Sequence, residues 1–146
     1  MKVLLDTCVI IDSLQNREPF SEFSNRILLA AANCRFSGCI ASKALADIYY
    51  LMHRHIHDDR KTREILSTLL EIFELLDTTA ADCKKAIASE TSDFEDAIML
   101  ETAIREHVDC IVTRNLKDYA NTAVPILSPE VFLKNLNLSG LADSFS

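Results

Sequence analysis

Glycine, proline and tryptophan are scarce in this chain, whose 146 residues include two glycines, three prolines and no tryptophan. We find no linker, low-complexity tract or internal repeat, so we expect a single domain over residues 1–146. The longest internal apolar run, residues 27–32, is far too short to span a bilayer. Asp6 and Asp12 interrupt the apolar N-terminal run, which argues against a signal peptide. We therefore expect a cytoplasmic protein with no membrane contact.

Paired cysteines and excess positive charge are also missing. The five cysteines include no C-x-x-C motif and their number is odd, which argues against a disulfide framework and a zinc knuckle. Cys8, Cys39 and Cys110 lie in apolar segments, so we expect them to be buried. The formal net charge of −7 disfavours binding of nucleic acid over the whole surface, but it permits an enzyme whose acids cluster around metal ions.

The chain does contain short apolar segments that alternate with helical patterns. This alternation predicts a three-layer α/β/α domain with a central parallel sheet of four to five strands. The predicted strands are residues 1–6, 38–41, 74–77, 109–113 and, at one edge, 124–127. The first predicted helix follows Asp6, the second spans residues 21–34, the third begins after an N-cap at Ser42, and the fourth begins after Asp58–Asp59. A fifth helix spans 80–89, and a sixth spans 92–107 and starts with an S-x-x-E capping box at Ser92. A helical turn is predicted over 116–119, and the last helix begins at Pro129.

Asp6 is the first candidate site residue, because it stands where the first predicted strand ends and a helix begins. Open α/β sheets bind their ligands at the carboxyl ends of their strands, so we expect Asp6 to belong to an acidic metal site. A helix N-cap would explain the same aspartate without any ligand. The choice depends on whether other carboxylates converge on this edge.

Asp47 and Asp96 are the second and third candidates, since each lies on or beside the apolar face of a predicted helix. A carboxylate is rarely buried unless it is paired or bound to a metal ion. A salt bridge to Lys43 or Arg114 would also explain either residue. Asp93 lies in the first turn of its predicted helix, where an acid complements the helix dipole.

These residues are expected to meet at one edge of the sheet if the helix of Asp93 and Asp96 lies with its N-terminus there. Thr113 and Asn115 leave the 109–113 strand at the same edge. Several carboxylates in one pocket require a cation, and all-oxygen ligation selects Mg²⁺ or Mn²⁺ over zinc. The sequence therefore predicts a divalent metal site.

With these residues identified, the sequence resembles the PIN-domain family, and within it the VapC-type ribonuclease toxins of bacterial toxin–antitoxin pairs. The resemblance rests on residues 3–12, 44–50, 93–97 and 110–119, in the family's order. It implies a Mg²⁺- or Mn²⁺-dependent endoribonuclease in which Asp6, Asp47 and Asp96 match the three principal acids. It also implies an antitoxin partner, whose basic tail would block the acidic pocket, and a homodimer.

The sequence departs from the family at three site positions. Asp47 stands where the family usually has glutamate, Cys8 where it usually has asparagine or serine, and Asn115 where many members have a fourth acid. These differences bear on efficiency and on the number of bound ions. The tyrosines Tyr49 and Tyr50 and the nearby Met52 are expected to face a partner rather than the core.

The expected mechanism assigns Asp6 and Asp96 as direct ligands of one metal ion, with Asp47 and Asp93 acting through water or on a second ion. A carboxylate, for which Asp47 is a candidate, would orient a metal-bound water for attack on the phosphodiester. The remaining expected roles are ligand or water orientation by Thr7, Thr113 and Asn115, and RNA contact by Lys43, Arg114 and Lys117.

Other functions fit less of the sequence. A haloacid-dehalogenase-type phosphatase needs an aspartate where Cys8 stands, and a receiver domain needs an acidic pair after the first strand. His53 and His57 have the spacing of a zinc pair, but no further ligands complete the set. The basic stretch from His53 to Arg63 has the pattern of a solvated face or an RNA phosphate contact. The principal alternative is a non-catalytic PIN-fold module that binds protein or RNA.

Overall fold

The computed structural model describes residues 1–91, 93–116 and 123–145, with side chains as far as residue 138. Five parallel strands form one sheet within these residues, and helices flank it, which confirms the predicted three-layer α/β/α architecture. The strands are β1 (Lys2–Leu5), β2 (Ser37–Ala41), β3 (Glu74–Leu76), β4 (Cys110–Val112) and β5 (Ile126–Leu127). The helices are α1 (Thr7–Leu14), α2 (Ser21–Ala32), α3 (Ser42–Ile56), α4 (Asp59–Ile72), α5 (Ala80–Ala88), α6 (Phe94–Arg105) and α7 (Pro129–Phe145).

The central strands are apolar at nearly every position because helices cover both faces of the sheet. In β1, Val3, Leu4 and Leu5 are fully buried, and Leu4 lies opposite Cys39 of β2 and Ile111 of β4. Buried side chains from the helices complete the same core, which includes Ile10, Ile27, Ile48, Leu69 and Phe132. The core therefore fixes the position of β1, the strand that leads into Asp6.

The strand order β3-β2-β1-β4-β5 creates a switch point between β1 and β4. From β1 the chain proceeds through β2 to β3 at one edge, and it then returns to add β4 and β5 on the other side. The crossovers leave β1 and β4 in opposite directions, which opens a crevice at the carboxyl ends of these two strands. Asp6 and Thr113 are the residues that follow them.

Several local predictions differ from the structure. The N-cap of α3 is Ala41 rather than Ser42, because the Ser42 hydroxyl donates instead to the Leu76 carbonyl at 2.8 Å, joining the ends of β2 and β3. Met52 is buried in the core and does not face a partner, whereas Tyr50 is 69% exposed. The N-cap of α6 is Asp93, and Ser92 lies outside the described residues.

The last strands are shorter than predicted, but their arrangement agrees with the prediction. The strand β5 is an edge strand parallel to β4, and the Pro125 carbonyl just before it accepts a hydrogen bond from the Ile111 amide at 2.9 Å. Among the cysteines expected to be buried, Cys39 and Cys110 are buried and Cys8 is only partly so. The predicted turn at 116–119 falls largely outside the described residues. Within those residues, no helix combines the length and apolarity that a membrane crossing requires.

Candidate active site

Asp6 lies at the switch point, and neighbouring groups hold both of its carboxylate oxygens. Oδ1 accepts a hydrogen bond from the Thr7 amide at 2.7 Å, so Asp6 is the N-cap of α1. Oδ2 accepts a hydrogen bond from the Thr113 hydroxyl at 2.6 Å. The cap interpretation is therefore correct, and it does not compete with the functional one, because the capped carboxylate also lines two adjoining pockets.

Cys8 lies beside Asp6 rather than in the core. Its Sγ atom is 3.6 Å from Asp6 Oδ2 and 3.8 Å from the Thr113 hydroxyl oxygen. Burial, followed by the negative charge of Asp6, raises the pKa of the Cys8 thiol to about 11. The thiol is therefore protonated at neutral pH, when it can donate a weak hydrogen bond to Asp6.

Asp96 comes from the first turn of α6 and lies on the other side of the crevice. It is 9% exposed, and its Oδ2 accepts a hydrogen bond from the Asn115 side-chain amide at 3.1 Å. Asp93 is the N-cap of α6 and accepts a hydrogen bond from the Asp96 amide at 3.0 Å. The N-terminus of α6 thus faces the carboxyl ends of β1 and β4, as the metal-site prediction requires.

The segment that leaves β4 connects the two carboxylates. Thr113 donates to Asp6, Asn115 donates to Asp96, and the Asn115 amide donates to the Thr113 hydroxyl oxygen at 3.0 Å. One pocket brings the two carboxylates together, and its lining includes Asp6, Asp93, Glu95, Asp96 and Asn115. The predicted orienting roles of Thr113 and Asn115 are consistent with these contacts.

The third predicted acid, Asp47, lines the adjoining pocket together with Asp6 and Asp96. This pocket has a volume of about 290 Å³ and also includes Thr7, Lys43, Tyr50 and Glu95 in its wall. Lys43 Nζ lies 2.5 Å from Asp47 Oδ2 and 3.4 Å from Glu95 Oε1. The salt-bridge explanation for Asp47 therefore holds, and it coexists with a place in the pocket.

Lys43 supplies a positive charge inside this acidic pocket. Partial burial acts to lower its pKa, but the hydrogen bond from Lys43 to Asp47 and the charges of Asp47 and Glu95 outweigh burial and raise it above the ordinary value. Lys43 is consequently charged at neutral pH. Its ammonium group offsets two carboxylates that would otherwise repel an approaching phosphate.

The side chains of the two pockets can bind a hard divalent cation, but only a few of them can contact it directly. The acids and amides of the two pockets offer oxygen ligands, which Mg²⁺ and Mn²⁺ prefer. Among the described residues, however, no three acid, histidine or cysteine side chains are grouped closely enough to hold a metal ion together. Mg²⁺ commonly uses one or two carboxylates and keeps several waters, so this set fits an ion that is largely hydrated.

The predicted RNA-binding residues have different environments. Arg114 makes a bidentate pair with the fully buried Asp12, at 2.5 Å and 3.2 Å, and its guanidinium lies 3.9 Å from the centre of the Phe20 ring. Its charge is thus engaged in holding the loop between Thr113 and Asn115 against α1. Lys43 lies in the pocket wall, and Lys117 lies outside the described residues.

Sequence reasoning missed Asp12 and Glu95. Asp12 follows the fully buried Val9, Ile10 and Ile11 in α1, so it is an acid on a buried helix, the pattern by which Asp47 and Asp96 were found. Applying that criterion to α1 would have identified it. Glu95 is exposed in the first turn of α6, where acids are common, and gave no distinguishing signal.

Comparison with known proteins identifies the family and the fold. The family model described as PIN domain matches residues 2–117. A toxin–antitoxin complex from Klebsiella pneumoniae superposes with a TM-score of 0.65 at 23% identity, covering 87% of this chain and 97% of that one. DNA-bound VapBC from Salmonella typhimurium gives a TM-score of 0.65 at 18% identity, covering 88% and 98%.

Another solved structure of similar fold, with lower sequence identity to this chain, is that of a protein whose activity is stated. The sarcin–ricin-loop-cleaving toxin VapC20 from Mycobacterium tuberculosis gives a TM-score of 0.59 at 10% identity, covering 75% of this chain and 86% of that one. No curated protein sequence matches the chain significantly. The family match covers most of the chain, and the three solved structures share its fold. The chain belongs to the PIN-domain family.

Proposed function

We propose that this protein is a divalent-metal-dependent endoribonuclease and the toxin of a toxin–antitoxin pair. The observation that carries the proposal is the meeting of Asp6 and Asp96 at the switch point, bridged by Thr113 and Asn115. Membership of the PIN-domain family supports a nuclease activity. The similarity to toxin–antitoxin complexes and to an RNA-cleaving toxin supports the biological role.

In this proposal Asp6 and Asp96 hold Mg²⁺ or Mn²⁺ directly, and Asp47 and Asp93 act through water or on a second ion. A bound divalent cation supplies a water of lowered pKa and positive charge against the phosphate. Thr113 fixes the carboxylate of Asp6, and Asn115 fixes that of Asp96, so both acids point into the pocket before substrate arrives. Thr7 fixes the other oxygen of Asp6 through its amide.

Asp47 is the candidate that orients the attacking water. It lines the same pocket as the two proposed ligands, and Lys43 keeps it in place through a four-residue helical spacing. Lys43 also stands where it can contact a substrate phosphate, and Lys117 is proposed for the same role from its place in the sequence shortly after Thr113 and Asn115. Arg114 acts in this scheme as a support for Thr113 and Asn115.

The proposed partners are an RNA substrate, a cognate antitoxin and a second copy of the chain, in the cytoplasm. The structural neighbours include a toxin–antitoxin complex and VapBC complexes, and several of the neighbours are bound to DNA. An acidic pocket complements a basic antitoxin segment, because opposite charges at an interface favour the correct partner.

The test is cleavage of a mixed RNA substrate by purified protein in Mn²⁺, by the same protein in excess chelator, and by Asp6→Asn and Asp96→Asn variants. Asparagine is as good an N-cap as aspartate, so Asp6→Asn should keep the fold while removing the ligand charge. Glu22→Gln, which changes an exposed acid of α2, is the matched control. We expect cleavage by the control in Mn²⁺ and none in chelator or in either site variant.

Undiminished cleavage by Asp6→Asn, or in excess chelator, would contradict the metal-dependent mechanism. The second candidate is a non-catalytic PIN-fold module, which is favoured by the neutralisation of Asp47 by Lys43. A module of this kind would bind RNA or protein without cleaving RNA at any Mn²⁺ concentration. Titration with Mn²⁺ followed by the cleavage assay separates the two functions.

A further inference from the structure

A second pocket with the opposite charge lies next to the acidic one. It lies between the end of α1 and the last turns of α3, and its wall consists of Gln15, Arg17, Leu51, Arg54 and His55. Arg17 is far from Arg54 in sequence, so the helical spacing of the basic stretch in α3 does not reveal the group. We call these five residues the basic pocket.

Gln15 holds Arg17 in this pocket. Its side-chain amide nitrogen donates to the Leu51 carbonyl at 3.3 Å, and its amide oxygen accepts a hydrogen bond from Arg17 Nε at 3.0 Å. One side chain therefore joins the segment after α1 to α3 and directs a guanidinium toward the pocket. This arrangement lowers the entropic cost of fixing the arginine when a ligand binds.

The two arginines of the basic pocket are not paired with acids. Some exposed cations elsewhere form ion pairs, such as Arg60 with Glu64, whereas others, such as Lys84 and Lys85, have no acid within ion-pair distance among the described residues. Among the described residues, no carboxylate lies within 4.0 Å of the charged groups of Arg17 or Arg54. The dipole of α3 favours basic residues in its last turn, but it does not account for Arg17, which lies outside that helix. What distinguishes the basic pocket is that Gln15 holds one of its two guanidinium groups in place, so that both can face an anionic ligand.

The basic pocket and the active-site pocket share one wall residue. Leu51 contributes to the walls of both pockets, and the preceding residue, Tyr50, lines the active-site pocket with 69% of its surface exposed. Asp47, Tyr50 and Arg54 are three and four residues apart in α3 and so lie along one side of the helix. A chain of phosphates that follows this side from Asp47 would pass Tyr50 before it reaches Arg54. Grooves that bind single-stranded nucleic acid combine basic groups along the backbone with aromatic rings on which bases stack.

We propose that Arg17, Arg54 and His55 form a phosphate-binding subsite for single-stranded RNA, and that Tyr50 stacks on a base between this subsite and the carboxylates. The proposal rests on the nuclease function proposed above and adds the path of the substrate. An acidic protein segment presents the same kind of charge but offers no base for Tyr50, which is why RNA is the favoured ligand.

The test measures binding of a short fluorescein-labelled oligouridylate by anisotropy over a range of salt concentrations. All proteins carry Asp6→Asn, so that RNA stays intact, and Arg17→Gln/Arg54→Gln is compared with Lys84→Gln/Lys85→Gln. The control removes the same charge from exposed positions of α5. Each phosphate contact on a single strand contributes about 0.7 to the slope of log affinity against log salt, so the subsite variant should lose about 1.4 and the control nothing.

Tyr50 is tested separately, because stacking does not depend on salt. Tyr50→Leu should bind about tenfold more weakly with an unchanged salt slope, and Tyr50→Phe should bind like the parent protein. Equal slopes for the subsite variant and its control would overturn the subsite. The subsite would also be overturned if the Arg17→Gln/Arg54→Gln variant lost binding to an acidic polyglutamate peptide but kept its binding to oligouridylate.

Cleavage by the otherwise unmodified protein in Mn²⁺, measured in parallel, distinguishes this proposal from the nuclease proposal. If the unmodified protein cleaves RNA but the subsite variant and its control have equal salt slopes, the subsite alone is overturned. Absence of both cleavage and oligouridylate binding would overturn the nuclease function and the subsite with it.

Discussion

The Thr113 hydroxyl is the smallest feature on which the candidate site depends. It is fully buried, donates to Asp6 and accepts from the Asn115 amide, so it uses one proton and one lone pair to join two residues of the pocket. Thr113 directly follows β4, which ends at Val112, so the strand fixes the position of this hydroxyl.

Thr113→Val should therefore harm the site more than its change in size suggests. Valine keeps the shape but removes both hydrogen bonds, with an expected loss of about 1–3 kcal/mol in the free energy of unfolding. Loss of a side chain that orients a metal ligand typically weakens metal binding about 10- to 100-fold. Urea unfolding and Mn²⁺ titration by calorimetry measure the two effects. Thr113→Ser keeps the hydroxyl and should restore Mn²⁺ affinity; if it binds no better than valine, the hydroxyl has no orienting role.

At the residue scale, the sequence predicted which acids lie in the site better than it predicted which groups hold them. Asp6, Asp47 and Asp96 could be identified because each breaks an apolar pattern within its own segment. The pairing of Arg114 with Asp12 could not, because it joins residues far apart in the chain and depends on how the loop after β4 packs on α1. Arg114 was predicted only as an RNA contact, and its pairing with Asp12 adds a role within the fold.

Between elements, Gly38 permits the close approach of β2 to the end of α4. A Cβ atom at this position would lie 2.6 Å from Phe73 Cδ1 and 3.3 Å from Phe36 Cε2. The Phe73 ring is buried in the core and has little room to move. Glycine is needed here for space, since its backbone conformation is one that other residues adopt.

Gly38→Ala should lower the free energy of unfolding by about 1–3 kcal/mol, the usual cost of overpacking a filled core. Adding Phe73→Leu makes room for the new methyl group, so the double variant should be less destabilised than the sum of the two single variants. Thermal or urea unfolding followed by circular dichroism measures this coupling. Strict additivity of the two changes would show that the clash with Phe73 is not the cause.

Asp82 joins α5 to α6 and gives the fold a dependence on pH. It is 2% exposed and accepts hydrogen bonds from the Thr79 amide, the Thr102 hydroxyl and the Arg105 guanidinium. Burial acts to raise its pKa, but the hydrogen bond from Arg105, with those from Thr79 and Thr102, lowers the pKa below the ordinary value. The carboxylate therefore stabilises the fold above the unfolded pKa, and that stability is lost as pH falls through the folded pKa.

Asp82→Asn should cost about 2–3 kcal/mol in unfolding free energy at neutral pH, because the neutral side chain removes the buried carboxylate that pairs with Arg105, which then has Glu106 as its remaining ion-pair partner among the described residues. The difference from the unmodified protein should shrink below about pH 4, the ordinary pKa of an aspartate, as Asp82 itself becomes protonated. Urea unfolding over a series of pH values measures it, with the exposed Glu130→Gln as control. A difference that stays constant down to about pH 2 would contradict the assignment.

The order of strands and helices was predictable because the two alternate with clear apolar patterns. The exact ends of the elements depend on which hydrogen bond each terminal side chain makes. Ser42 is an ordinary N-cap by residue type, but a tertiary hydrogen bond to Leu76 engages its hydroxyl, and the helix begins one residue earlier than a side-chain cap would set it. Met52 lies on the core side of α3 although its neighbour Tyr50 is exposed. Such choices depend on packing across the sheet, which a single segment does not encode.

At the scale of the whole molecule, the topology explains how an acidic chain can have both an acidic candidate active site and a basic pocket. The switch point brings together Asp6 and Asp96, which are 90 residues apart in the sequence, and the ends of α1 and α3 bring Arg17 and Arg54 into one pocket. The net charge of −7 should repel RNA overall, so local charge and bound cations must decide the affinity.

This balance predicts that the double variant Asp6→Asn/Asp96→Asn changes RNA affinity in opposite directions with and without metal. In excess chelator it should bind a hydrolysis-resistant phosphorothioate oligouridylate several-fold more tightly than the unmodified protein, because removal of two charges near a phosphate is worth on the order of 1 kcal/mol in water. In Mn²⁺ the order should reverse, because the variant no longer attracts the cation that offsets its remaining acids. Anisotropy titrations at constant ionic strength measure both affinities.

Glu22→Gln/Glu71→Gln is the matched control, since it removes the same charge from exposed positions outside both acidic pockets. A general charge effect would raise the affinity of this control and of the site variant equally, in chelator and in Mn²⁺ alike, because a distant acid acts only through the screened field of the molecule. A local effect at the switch point would move the site variant alone and would change sign with the cation. The same affinity order under both conditions would show that Asp6 and Asp96 do not hold a cation that contacts RNA.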